Sequence, residues 1–235
     1  MRRLTTVPIL ILLLASCHHE DAEPPGYHEA AAKQAATTSA SSTTAPSTTL
    51  ARTASGPASE ETSVSVKRAD GAELLTINEH ANGNIEIAFV ANGGAKRMLR
   101  GNKRESGKRK YSVDNGPVMF EVKPGDDLGF KLRLADGKLL WKVKVAAEKI
   151  KISNNEENQN PFELKTRENN RFKVVAPGDR ELGNVRDGAV EDASGKALFN
   201  TTSKKPSAGF GALLLTDIPE IERYILIGEI VGRGR

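Results

Sequence analysis

The sequence predicts a mainly β fold: an antiparallel β-barrel of repeated hairpins around a hydrophobic C-terminal helix. Three observations predict it. A hairpin signal recurs five times, two longer stretches alternate apolar and polar residues, and only the last apolar stretch changes to helical spacing.

The hairpin signals are "VKRADGAELLTI" (66–77), "VKPGDDLGFKL" (122–132), "LADGKLLWKV" (134–143), "VVAPGDRELGNV" (174–185) and "VEDASGKALF" (190–199). In each, an apolar or alternating run meets a small Asp/Gly/Pro cluster and then a second run. Gly supplies the positive φ that a tight connection between antiparallel strands needs. Between these signals, "GNIEIAFVA" alternates through Ile85, Ile87, Phe89 and Ala91. "LLWKVKVAAEKIKIS" alternates through Trp141, Val143 and Val145 and again through Ile150 and Ile152, with Lys on the opposite face. Period two with one apolar face describes a half-buried sheet. "FEVKPGDDLGFKLR" from Phe120 and "FKVVAPGDRELGNVR" from Phe172 share enough positions to predict a weak internal repeat.

The end of the chain follows another rule. In "TDIPEIERYILIGEIV", Asp217 is placed to cap a helix, with Glu220 as capping-box partner and Pro219 in the first turn. Ile221, Tyr224, Ile225, Gly228 and Val231 keep helical spacing, while Leu226, Ile227 and Ile230 widen the stripe over most of the circumference. A helix of about 218–231 that is apolar nearly all round belongs inside something. At about 13 to 15 residues it is too short for a conventional membrane span.

Three segments follow from composition. Residues 1–16 form an export signal, with Arg2 and Arg3 ahead of a short apolar core from Val7 to Ala15, well under the ~20 residues of a spanning helix. Residues 17–62 are rich in Ala, Ser, Thr, Glu and Pro, a composition that cannot offset the entropy of ordering and predicts a disordered tether. Its root-mean-square reach is roughly 35 to 40 Å by random-coil scaling. Residues 63–235 are long enough for one domain with a substantial core.

Cys17 is the single cysteine in 235 residues. The four residues Leu14, Ala15, Ser16 and Cys17 resemble the lipobox of bacterial lipoproteins. The resemblance implies cleavage before Cys17, a diacylglycerol on its thiol, and a chain held at a membrane of the bacterial cell envelope by its acyl groups. One chain anchors marginally and two or three hold firmly. By the sorting rules of familiar Gram-negative bacteria, His18 in place of Asp favours the outer membrane. The hairpin-rich domain in turn resembles the tubby C-terminal-like superfamily, which includes LURP-one-related proteins and phospholipid scramblases. The segments that carry this likeness are "ADGKLLWKVK", "VEDASGKALF" and "IPEIERYILIGEIV". It implies a barrel of roughly twelve strands wrapped around one central helix. Phosphoinositide binding and lipid movement occur in that superfamily, but no calcium or phosphoinositide site carries over to residues of this chain.

Motifs for chemistry are sparse. His80 in "NEHANGN" is the sole histidine of the domain and reads as a turn residue; no Ser and Asp partners for a triad are spaced around it. Asp126 with Asp127 falls in a hairpin turn and Glu156 with Glu157 in the polar stretch "SNNEENQNP", without the order of an EF-hand. His18, His19 and His28 of the tether match no closed metal site. Walker and dinucleotide-binding loops are absent from the sequence. The expectation is a chain that is not an enzyme and needs no cofactor or metal.

The strongest signal is basic. "KRMLRGNKRESGKRK" (96–110) holds Lys96, Arg97, Arg100, Lys103, Arg104, Lys108, Arg109 and Lys110 against the single acid Glu105. The first 60 residues carry 4 basic and 5 acidic side chains of the chain's 34 and 30, which leaves 30 against 25 for the rest. The positive charge is therefore local, and read as one exposed loop it makes a strong field. Tyr111 alone stands near for stacking, so nucleic acid is not the expected partner. Anionic lipid or another anionic envelope component is, each cation near such a surface contributing about 1 kcal/mol. A scaffold that binds an envelope protein is the alternative, and an enzyme with an unrecognised site the third reading.

Overall fold

A computed structural model describes residues 62–203 and 206–235. The expected export signal, Cys17 and the expected tether as far as residue 61, with its histidines, lie outside the described residues, while Thr62 already belongs to the first strand. The strands are β1 (Thr62–Arg68), β2 (Glu73–Glu79), β3 (Ile85–Val90), β4 (Lys96–Lys103), β5 (Arg109–Val113), β6 (Val118–Pro124) and β7 (Phe130–Leu134). They continue with β8 (Leu139–Val145), β9 (Lys149–Ser153), β10 (Phe162–Thr166), β11 (Phe172–Ala176), β12 (Arg180–Arg186), β13 (Ala189–Asp192) and β14 (Ala197–Thr201). A buried 3-10 helix, Ala208–Leu214, and α1 (Glu220–Gly232) complete the chain.

Every strand pairs antiparallel with its sequence neighbours, and β14 pairs back with β1, so the sheet closes into a fourteen-stranded barrel. Closure leaves the sheet no free edge. All five sequence hairpins are present, as β1–β2, β6–β7, β7–β8, β11–β12 and β13–β14. Their turns form for local reasons. Asp70, Asp136 and Asp192 accept hydrogen bonds from the backbone N–H two residues on, each at 2.9 Å, and Gly71, Gly137 and Gly195 follow with positive φ. The fold class read from the sequence is thus the one observed, with fourteen strands instead of roughly twelve.

Successive connections alternate between the two rims of the barrel. The first rim holds the connections after β2, β4, β6, β8, β10 and β12 together with Thr62; the second holds the others. This corrects the internal repeat: the β6–β7 and β11–β12 connections sit on opposite rims. The two turns also differ in backbone: Asp127 alone takes positive φ in the first, whereas Gly178 and Asp179 both do in the second.

The interior is filled by the last 28 residues. The 3-10 helix runs from the first rim towards the second and α1 returns, so the two segments form a helical hairpin inside the barrel. Ala208 to Leu214 are all buried, as are Tyr224 to Ile230 of α1. They meet the inward rows of the wall, among them Ile85, Ile87, Phe89, Leu99, Leu164 and Val174. Removing a large side chain from such a core, as in Leu226→Ala, costs about 2 to 5 kcal/mol. Two glycines set the fit: a Cβ on Gly228 would lie 2.7 Å from Ile87, and one on Gly211 2.8 Å from Val174. Small residues are required where the helical hairpin touches opposite walls.

α1 begins two residues later than the sequence predicts. Pro219 occupies the N-cap and no side chain caps the helix, so Asp217 does not have the role read for it. Glu220 instead accepts from the Tyr224 hydroxyl at 3.1 Å. Glu220 and Glu222 place negative charge in the first turn, where the helix dipole favours it.

Candidate functional site: a basic hairpin with one arginine turned inward

The run 96–110 is not a loop. It comprises β4, a five-residue turn and the start of β5, so its cations are spread along a strand roughly 25 Å long. Strand alternation divides them. Leu99, Gly101 and Tyr111 face the interior, with Leu99 paired to Val113, Gly101 to Tyr111 and Lys103 to Arg109. Arg100 and Lys110 take the outward positions.

Partners divide them again. Arg97 donates from Nε and Nη2 to Asp114 Oδ2 at 3.2 and 3.1 Å. The Met98 N–H and then Arg97 hold the Asp114 carboxyl below its usual range. Arg100 donates to the Asp114 carbonyl and to Asn115 Oδ1, both at 2.8 Å, and lies 3.4 Å from Glu86. Lys108 meets Glu121 at 3.0 Å. Lys96, Lys103, Arg104 and Lys110 have no carboxylate within ion-pair distance among the described residues.

Arg109 turns into the barrel. Its Nη1 donates to Glu229 Oε1, and its Nε and Nη2 donate to the Gly83 carbonyl at 3.2 and 2.6 Å. Tyr111 Oη donates to the same Glu229 oxygen at 2.8 Å, and Arg233 Nη2 to Glu229 Oε2 at 3.0 Å. The Arg233 guanidinium also lies 4.8 Å from the centre of the Phe130 ring. Glu229 is completely buried. Burial opposes the charge on Arg109, but the neighbouring Glu229 and Tyr111 outweigh it and raise its pKa. Burial first and Glu229 second push the Tyr111 phenol well above 10.0. Gly101 makes room for this cluster: a Cβ there would lie 2.5 Å from the Tyr111 ring and 2.7 Å from Arg109. Arg109 therefore locks α1 to the wall and is not an exposed contact for a surface ligand, which corrects its place in the basic set. The signal for this was in the sequence: Glu229 is the lone carboxylate within the apolar run "YILIGEIV".

The remaining candidates stay at the surface. His80 opens the β2–β3 turn, 3.7 Å from Glu86, in an open polar cleft of about 440 Å³ that Asn82, Asn84 and Arg100 also line. Asp126 and Asp127 occupy the β6–β7 turn, as read. Glu156 lies among Lys131, Arg133 and Lys142, at 2.6, 2.8 and 3.7 Å, so its charge is directed at side-chain cations. Among the described residues no three His, Cys, Asp or Glu side chains cluster to hold a metal ion. No described helix is long and apolar enough to cross a membrane.

The sequence matches no protein-family model, and neither curated proteins nor solved structures show a match to this chain.

Proposed function

We propose that this chain is a lipid-anchored, non-enzymatic protein of the bacterial cell envelope, held through Cys17 at the outer membrane, whose barrel binds anionic lipid. Membership of the tubby-like group is part of the same reading, supported by the helix-filled barrel. One observation carries it furthest: Thr62, where the chain enters the barrel, lies on the same rim as the β4–β5 turn. Lys103, Arg104 and Lys108 thus stand at the end of the domain from which a tether to the membrane would depart. Cations near an anionic bilayer contribute about 1 kcal/mol each within a Debye length.

The test uses the full chain carrying Cys17→Ser, so that no acyl group contributes. It is sedimented with phosphatidylcholine vesicles and with vesicles containing phosphatidylglycerol. Binding to the second alone, lost in high salt and in the variant with Lys103, Arg104, Lys108 and Lys110 changed to Ser, supports the reading. Indifference to both vesicles overturns it. A protein-binding scaffold is the second reading; Val118 and Met119, exposed large apolar side chains towards the opposite rim, favour it.

A further inference from the structure

A second array of cations lies outside the 96–110 run. On the outer face of β6, β7 and β8, Lys123 pairs in register with Lys131, and Lys131 with Lys142. Lys144 of β8 stands opposite Lys151 of β9. Lys149 of β9 stands opposite Lys165, and Lys165 opposite Lys173 of β11. Like charges directly opposite each other destabilise a sheet, yet here they recur across six adjacent strands.

Six of these eight lysines meet a carboxylate, mostly a shared one. Glu156 is shared by Lys131, Arg133 and Lys142, and Glu163 by Lys149, Lys151 and Lys165, the last at 2.8 Å. Lys165 also lies 3.5 Å from Asp179, and Lys173 has Glu181 at 2.7 Å. Lys123 and Lys144 have no carboxylate partner among the described residues. The band also has a seat. A groove of about 690 Å³ is lined by Lys131, Lys142, Lys144, Lys149 and Lys151, with Asp126, Asp127 and Glu157 also lining it.

We propose that this band is a binding track for an acidic polysaccharide, a flexible chain with one carboxylate on each sugar. Its extent argues against a planar partner: six of fourteen strands span more than a third of the barrel, and a flat bilayer touches a convex wall only along a narrow strip. Its composition argues against nucleic acid. Trp141, Phe130 and Phe162 on these strands all lie at inward positions, so the outer face lacks the aromatic platforms on which bases stack. Lysine is a rotatable point charge on a flexible stem that follows charges along a mobile chain, whereas fixed bidentate recognition of carboxylate or phosphate favours arginine. Neighbouring strands lie ~4.8 Å apart, so the paired lysines set positive charge at short, regular intervals across the band, which complements a polymer with a charge on every unit. The inference stands apart from the lipid reading, because it uses a different face and different cations.

The test measures binding of the full Cys17→Ser chain to polygalacturonate and to its fully methyl-esterified, uncharged form. Two variants are compared: Lys131, Lys142, Lys144 and Lys151 changed together to Gln, and the four-residue β4–β5 variant above. Unchanged Trp141 emission shows that each keeps its fold. The expected result is binding to the acid form alone, weakened at least about tenfold by the Gln variant, little changed by the β4–β5 variant, and restored when the same four lysines become Arg. Equal binding to the esterified polymer, or an undiminished Gln variant, overturns the proposal. So does stronger binding through these lysines to poly-glutamate or to anionic vesicles, which would assign the band to an acidic protein or to a membrane.

Discussion

Tyr111 on β5 and Glu229 on α1 meet at 2.8 Å, the phenol donating to a carboxylate fully withdrawn from water. Arg109 shares that oxygen and Arg233 takes the other, so one acid is met by two cations and a phenol. Replacing Glu229 by Leu strands two guanidinium groups at a largely buried site, and about 3 to 5 kcal/mol of stability is expected to be lost. Changing Arg109 and Arg233 to Met in the same chain should recover most of it, because an apolar trio needs no charge compensation. Denaturant midpoints of the parent, the single and the triple variants check this. A Glu229→Leu chain as stable as its parent would show that the cluster does not fasten the helix.

Trp141 is the chain's single tryptophan, and its Nε1 donates to Glu222 Oε2 at 2.5 Å, joining β8 to the first turn of α1. Its ring also lies 6.4 Å from that of Phe162. Its emission therefore reports on contact between helix and wall. Glu222→Ala leaves the indole N–H without its acceptor and should cost about 1 to 2 kcal/mol, with Glu222→Gln costing less. If the helical hairpin and the barrel unfold as one unit, the Trp141 transition coincides with loss of strand signal by circular dichroism. An earlier Trp141 transition would mean that the helices leave first.

Tyrosine titration gives a third measurement. Burial, with help from Glu220, pushes the Tyr224 phenol from 10.0 up to about 12, and Tyr111 is likewise raised. Both native values exceed the unfolded one. Their contribution to stability is intact below pH 10 and is lost as pH rises towards 12, because only the unfolded state gives up these protons in that window. Unfolding free energy measured from pH 9 to 12 should fall, and phenolate absorbance of two of the three tyrosines should appear together with unfolding. Ordinary titration of all three in a chain that keeps its circular dichroism would contradict this.

How far the sequence could be read follows from the range of each interaction. The Asp–Gly turns at 70–71 and 136–137 were legible because each is closed by an Asx hydrogen bond spanning two residues. Ile85, Ile87 and Phe89 were legible because alternation declares a face. Arg109 was not, because its inward position depends on pairing with Lys103 and its partner lies 120 residues away. The lysine band was hidden for the same reason. Lys131, Lys142 and Lys151 are scattered along the chain and become neighbours only through the register of β7, β8 and β9. A run of eight cations in fifteen residues draws the eye first, although half of them are bound to nearby acceptors.

The pairing of Val66 with Thr201 sets an order for assembly. β1 forms its hairpin with β2 early, but its other edge waits for a strand 135 positions later, and the cavity stays open until Glu220–Gly232 arrives. Hairpins between neighbours form quickly, whereas closure of a long loop is slow and leaves an edge exposed meanwhile. Apolar strand surface on the incomplete sheet is then available to other chains. A chain shortened before residue 220 would keep its strands and the 3-10 helix but lose α1 from the interior, and is expected to aggregate where the complete one does not.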